Sequence, residues 1–548
     1  MGPVHRLSDT LVLNIILFAA NPHTTTLDEW KANLPYAAVC RQWRHQIIDM
    51  VYSSAILECH KTRTRWIKQL VTPGRKVPRY EWKSNMALIA ATCNSRRTTE
   101  LRIQLPYHER GILPIHNVLA ALGLGSFFWP GIRTLHISKR TIAGCKDSHA
   151  AKRDSGYANR QAEIVSFFAK HVPLIGSLSL PTVSGNYGDL CSLYSKLVNH
   201  YARSLWHLSS PNSTVFSVSA FSSNLTDLSV RLSSSKPFWL PRLNIATIQH
   251  LQLTDVPHDF AWTRLIADGN DDDYYEFTRL VSLHIEFSES CQLFSLSHKP
   301  ADQVSLELGF PVLSVLSLLN CPASGLVLAS CFGLPTISEI SISGEFAGLK
   351  QLGNLCYTES ASMISIDFGQ FDSSNTSDFY AVTNDLFGSI ISADEMQLTL
   401  RGTGFAIDPC EIEWFNLTNL DFWQHVALST IVKLVAMLPN LTVLSIDWLE
   451  DDMASTTDSV SVNTGAVNGH IGQLDTRIQS LFVHASSRTN SDPFMTSPVL
   501  YLAICMPVMD MLHVPDAHVD DMQSELARLA PYYIHLSNIC VDCTSEPN

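Results

Sequence analysis

The residues that could do chemistry at a defined spacing are few. Cys540-Val541-Asp542-Cys543 is the one cysteine pair at metal-ligand spacing. A structural zinc site needs four such ligands, and no second pair lies at a suitable distance, so no metal is expected. Asp268-Gly269-Asn270-Asp271-Asp272-Asp273 through Glu276 places carboxylates as a calcium loop does. It lacks the glycine at the sixth place and has Arg279 where the twelfth-position glutamate belongs, so a solvated acidic turn is expected. There is no Gly-x-Ser-x-Gly elbow, no His-Glu-x-x-His pair and no Gly-x-x-x-x-Gly-Lys phosphate loop. No catalytic residue and no cofactor are therefore assigned, and the chain reads as a protein that binds.

A different kind of polar residue recurs: the centre of an apolar–polar–apolar phrase. In a strand, neighbouring side chains face opposite ways, so apolar outer residues turned to a core put polar residues on the open face. Along the middle of the chain that face is expected to show His250, Gln252, His284, Glu286, Glu339, Ser341, Asp367, Arg401, Asp421, Trp423 and Asp447. Carboxylates outnumber cations there, with one tryptophan among them. Such a face suits a basic peptide or protein segment.

The elements that must position these residues are the phrases themselves. They run Leu101-Arg102-Ile103, Leu135-His136-Ile137, Leu178-Ser179-Leu180, Leu228-Ser229-Val230, Leu251-Gln252-Leu253, Leu283-His284-Ile285 and Leu316-Ser317-Leu318. They continue as Ile340-Ser341-Ile342, Ile364-Ser365-Ile366, Leu398-Thr399-Leu400, Leu420-Asp421-Phe422, Leu444-Ser445-Ile446, Leu481-Phe482-Val483 and Leu512-His513-Val514. The shortest intervals, 22 to 24 residues, match leucine-rich repeats, and the longer ones read as repeats with insertions. Leu205-Trp206-His207-Leu208 is the candidate for a repeat hidden in the longest gap. Ala162–His171 and Ser429–Leu438 read as helices between strands. The fold class expected is α/β: a leucine-rich-repeat-like solenoid with a parallel sheet on its concave face, spanning 98–548, preceded by a small all-helical module over 1–60 and a helical linker over 61–97. Mobile loops are expected at 144–161, 268–276 and 453–476.

Composition bounds the partners. The formal charge of -13 argues against nucleic acid as a partner of the whole chain. The charge is uneven: residues 1–110 hold 16 Lys/Arg against 8 Asp/Glu, and the remainder 22 against 43. An acidic partner for the front and a basic one for the back follow as expectations. Thirteen cysteines without framework spacing suggest a reducing compartment, the cytoplasm or nucleus. No run reaches the roughly 18–20 apolar residues of a spanning helix, so no membrane is expected. Leu11–Ala20 is as apolar as a signal peptide core, but Asp9 precedes it. Of the Asn-x-Ser/Thr sequons, Asn224, Asn416 and Asn440 each read Asn-Leu-Thr and run into a phrase, which explains them without glycans.

At the front, Leu7–Ala20 reads as a helix with Leu11 and Ile15 on its apolar face, and Thr26-Leu27-Asp28-Glu29 as a capping box. Val39, Trp43 and Ile47 recur every four residues and share a helix face. Val39-Cys40-Arg41-Gln42-Trp43-Arg44 resembles the V-C-x-x-W core of the F-box, and with the repeats the chain resembles fungal F-box-like proteins carrying irregular leucine-rich repeats. Ser8 stands where that family usually has proline, and Asn21–Asn33 are interposed before the second motif helix. The resemblance implies a substrate-recognition subunit of a Skp–cullin–F-box ubiquitin ligase. Leu11, Ile15, Val39, Cys40 and Trp43 would contact the Skp-type adaptor of the cullin complex, and the repeats would hold the target. Two other readings stand beside it: a repeat scaffold that has lost adaptor binding, and a secreted repeat receptor.

Overall fold

The computed structural model describes residues 26–33, 51–65, 77–92, 96–106, 128–140, 157–181, 188–210, 224–232, 246–256, 275–288, 308–321, 332–333, 337–344, 363–368, 384, 395–401, 411–450, 477–484 and 496–543. The chain divides into two compact units, one essentially 1–250 and the other essentially 251–548. Both are built on mostly parallel, open sheets, in a mixed α/β, solenoid-like arrangement.

The first unit opens with helix α1 (Leu27–Asn33) and strands β1 (Ser54–Arg65) and β2 (Val77–Ser84), followed by helix α2 (Met86–Ala91). β1 and β2 pair antiparallel. This corrects the helical linker expected over 61–97: β1 starts inside the 1–60 segment, and among the described residues of the linker Val77–Ser84 is a strand and Met86–Ala91 the one helix. Ala55, Ile56 and Leu57 are all buried, so this strand has no polar alternation to announce it. The parallel series then runs through β3 (Glu100–Pro106), β4 (Thr134–Arg140), β5 (Ser177–Ser179), β6 (His207–Ser210) and β7 (Asp227–Arg231). The ladder order is β2-β1-β3-β4-β5-β6-β7. Helices α3 (Tyr157–His171) and α4 (Gly188–Tyr201) carry the β4–β5 and β5–β6 connections. Because α3 begins at Tyr157, the end of the loop expected at 144–161 is helical.

α1 lies within the stretch 21–33 and docks on β1. The buried Glu58 carboxylate accepts the Leu27 amide at 2.7 Å, a favourable site for an anion at a helix N-terminus, and the Trp30 indole donates to the Val51 carbonyl at 2.7 Å.

The second unit holds β8 (His250–Val256), β9 (Tyr275–Glu276), β10 (Ser282–Phe287), β11 (Leu308–Gly309), β12 (Val315–Cys321), β13 (Phe332–Gly333), β14 (Glu339–Gly344) and β15 (Met363–Phe368). Next come β16 (Glu395–Arg401), β17 (Asn419–Ala427), helix α5 (Leu428–Met437), β18 (Val443–Glu450), β19 (Ser480–Val483), helix α6 (Thr496–Cys505), β20 (Met511–Val514), helix α7 (Val519–Leu529) and β21 (Cys540–Cys543). Eleven of these strands form one open sheet, β8-β10-β12-β14-β15-β16-β17-β18-β19-β20-β21. The two-residue strands β9, β11 and β13 make a small parallel sheet of their own. Tyr275 and Glu276, expected in a mobile loop, belong to it. The third expected loop, 453–476, lies outside the described residues.

All fourteen phrases fall on strands, Leu180 directly after the end of β5, and the register shows why they stack. A tight turn feeds many of them: an apolar carbonyl accepts from the amide three residues on, as in Trp129/Ile132, Phe277/Leu280, Phe310/Leu313, Trp414/Leu417, Leu438/Leu441 and Met506/Met509. Both side chains of each turn are buried, which anchors the turn in the core. The next residue but one before the phrase often carries a hydroxyl that donates to the neighbouring repeat. Thr226 reaches the Trp206 carbonyl at 3.1 Å, Ser338 that of Ser314 at 3.0 Å, Thr418 that of Met396 at 3.2 Å and Thr442 that of Thr418 at 3.2 Å. Three of these threonines are the third residues of the Asn-Leu-Thr sequons, and the leucines between are buried. The repeat thus accounts for the triplets.

One step interrupts the alignment. Ile364-Ser365-Ile366 pairs with Met396-Gln397-Leu398, two residues short of the phrase Leu398-Thr399-Leu400. An even offset keeps each position on its own face, so the core remains continuous.

Candidate recognition faces

Strand alternation places the polar phrase centres on the side away from the core. His250 and Gln252 on β8 are exposed. His284 and Glu286 on β10 are half-buried, Glu339 on β14 is exposed and Ser341 beside it half-buried. Asp367 on β15 and Asp421 on β17 are half-buried and occupy one row, separated by Thr399. Arg401 and Trp423 are register partners on β16 and β17. Asp447 on β18 differs: at 4% exposure it belongs to the polar floor of the sheet rather than to an open surface. The proposed adaptor residues Leu11, Ile15, Val39, Cys40 and Trp43 lie outside the described residues.

The rows can now be read across strands. In the second unit, Ser317, Ser341, Ser365, Gln397 and Asn419 succeed one another in register, a neutral floor of mostly small side chains. Beside it run Asp367, Thr399, Asp421, Ser445, Phe482, His513 and Asp542. The Phe482 and His513 rings stack 4.1 Å apart at 3°. The Ser445 hydroxyl and His484 Nε2 are 2.8 Å apart. Burial holds the His513 imidazole below its ordinary range, with Asp542 on the next strand opposing the shift, and His284 is lowered by burial against the opposing Glu286.

The first unit has a comparable row. Ser177 Oγ and His207 Nδ1 are 2.8 Å apart, and Asp227 is the register partner of His207 on the other side. Burial lowers the His207 pKa despite Asp227; at His136 burial acts first and the Arg102 guanidinium adds to it, with Glu100 opposing. Arg102 pairs with Glu100 at 2.9 Å, and Ser54 donates to the same carboxylate oxygen.

The serine–histidine pairs and the aromatic stack were missed in the sequence. Their members are visible as phrase centres or flanks, but they are 30 to 39 residues apart, and only strand order makes them neighbours. Cys540 and Cys543 are an odd number of residues apart in a strand, which puts the two positions on opposite faces. Among the described residues, no group of three or more His, Cys, Asp or Glu is placed to hold a metal, and no helix is long and apolar enough to cross a membrane. Against known proteins, the sequence matches no family model and no curated protein.

Proposed function

We propose that the chain is a protein-interaction subunit whose sheet face holds a basic segment of a target protein. The observation that carries this is the register of the second unit. Adjacent parallel strands bring Asp367 and Asp421, both half-buried, into one regular polar row with Thr399 and Ser445, beside a row of serines and amides. Carboxylates on a rigid sheet select partners by charge and lose no backbone freedom on binding.

The Val39-Cys40-Arg41-Gln42-Trp43-Arg44 motif supports the fuller reading, in which the front segment engages a Skp-type adaptor and the protein acts as substrate receptor of a cullin ubiquitin ligase. Its mechanism would be proximity: the receptor raises the effective concentration of target near the transferring subunits. Co-purification of the full chain with a Skp-type adaptor tests this, with Trp43→Ala expected to weaken the complex. Failure of the wild type to retain adaptor refutes the ligase role and leaves a repeat scaffold. Independently, Asp367→Asn with Asp421→Asn is expected to weaken binding of a Lys/Arg-rich probe peptide by about tenfold. Unchanged binding refutes the acidic face as the reader.

A further inference from the structure

Four large apolar side chains are exposed among the described residues of the first unit. Leu88 lies on α2, and the other three stand on the sheet's leading rim, where the chain turns into successive strands. Phe128 is 57% exposed, Leu174 50% and Trp206 48%, and they precede β4, β5 and β6. Close contacts link the successive turns of the rim. The Gly131 Cα hydrogens face the Arg96 and Thr98 carbonyls so closely that a Cβ would sit 2.7 Å from each. The Trp129 amide donates to His171, three residues before Leu174, at 3.0 Å, and the Gly176 amide donates to Arg133 at 2.8 Å. The Trp206 indole lies across Gly176, where a Cβ would be 2.6 Å from Nε1.

Cations predominate on this rim. Arg96, Arg133, Lys170 and Arg203 are exposed on it, and the stretches 96–99, 128–133, 170–176 and 202–206 contain no aspartate or glutamate. Large apolar groups interleaved with cations form a surface of opposite character to the carboxylate row of the second unit; the bordering carboxylates are engaged, Glu100 by Arg102 and Ser54 and Asp227 by Thr226. A monomer gains nothing in solubility from exposed aromatic and aliphatic groups arranged in three consecutive repeats.

We propose that this rim docks an acidic amphipathic segment of a partner protein, its large apolar residues seated on Phe128, Leu174 and Trp206 and its carboxylates facing the guanidinium and ammonium groups. Leu174, half-exposed among the rim's apolar groups, favours a protein segment over a nucleic acid, because an aliphatic side chain offers no ring face for a base to stack on. The assignment is independent of the reading of the acidic face.

A phage-displayed random peptide library panned on the full chain tests it, followed by binding of the selected clones to Trp206→Ala and, separately, Arg203→Ser. Clones that bind the wild type at least about tenfold more tightly than either variant are expected, enriched in Asp and Glu alternating with Leu and Phe. Their binding is expected to weaken with salt. An absence of rim-dependent clones, or rim-dependent clones rich in Lys and Arg, overturns the proposal. Displacement of the selected peptide by a single-stranded oligonucleotide at lower concentration than by the unlabelled peptide also overturns it. Thermal melting checks that both variants fold; Arg203→Ser changes an exposed side chain and carries the test should Trp206→Ala melt early.

Discussion

The stacking can be dissected at one repeat, because Thr442 and Leu444 stand two residues apart and serve different forces. The Thr418 carbonyl receives the Thr442 amide at 2.8 Å, the Val443 amide at 3.1 Å and the Thr442 hydroxyl at 3.2 Å. Thr442→Val removes only the third donor and leaves the carbonyl satisfied, so the cost belongs at the low end for a hydrogen bond, about 0.5–1 kcal/mol. Leu444 is fully buried, and Leu444→Ala removes its apolar volume and leaves a cavity that flanking strands fill only in part, costing about 2–5 kcal/mol. Urea unfolding followed by tryptophan fluorescence reads both, with buried Trp414 as a reporter in the neighbouring repeat. The expected order is a midpoint close to wild type for Thr442→Val and a strongly lowered one for Leu444→Ala. If the valine variant loses as much as the alanine variant, the hydroxyl ladder rather than the apolar core holds the repeats together, and the argument fails.

Three more outcomes follow from the geometry. Folded-state pKa values below the ordinary one at His136, His207, His284 and His513 mean that the unfolded chain binds more protons near pH 6; their contribution to stability is full above about 6.5 and is lost as pH falls, so the melting temperature should drop on acidification and His207→Gln should reduce the slope. A melting temperature that rises on acidification would contradict this. Gly131→Ala should lower stability by about 1–3 kcal/mol because backbone carbonyls block its Cβ, whereas Gly176→Ala should chiefly displace the half-exposed Trp206 ring, seen as a shifted emission maximum with a near-normal melt. The buried Cys505 thiol, its pKa pushed up to about 11, should resist alkylation in the folded protein while exposed Cys540 reacts; equal rates would show that the α6 layer opens.

Period-two alternation was readable because half of each strand is core. That is why phrases such as Leu251-Gln252-Leu253, Leu283-His284-Ile285 and Leu512-His513-Val514 fall on strands with alternating burial, β8, β10 and β20. Strands without that signature were harder to read. Ala55-Ile56-Leu57 is buried throughout and Cys540–Cys543 has the spacing of a metal pair, while Leu208-Ser209-Ser210 has a serine at its second buried place and showed only through the residues before it. The gap candidate around Leu205–Leu208 is a repeat, with Leu205 in the turn and Leu208 in β6. Which polar residues meet was not readable. Ser445 and His484 depend on strand order, and the burial of Asp447 depends on how tightly neighbours close over it.

The two-residue step between β15 and β16 has a geometric consequence for any ligand. At roughly 3.3 Å per residue, the phrase shifts along the strand axis by about 7 Å at that seam. A rod laid straight across the strands would follow the serine row up to Ser365 and then find itself over Gln397 and Asn419, while the phrase centres Thr399, Asp421 and Ser445 pass to one side. To touch the serine floor and these later centres alike, a bound chain must jog or run on a diagonal. Were a partner held on this face as proposed, the seam would act as a ruler, favouring a ligand with a bend at one defined distance along its length over a uniform extended strand.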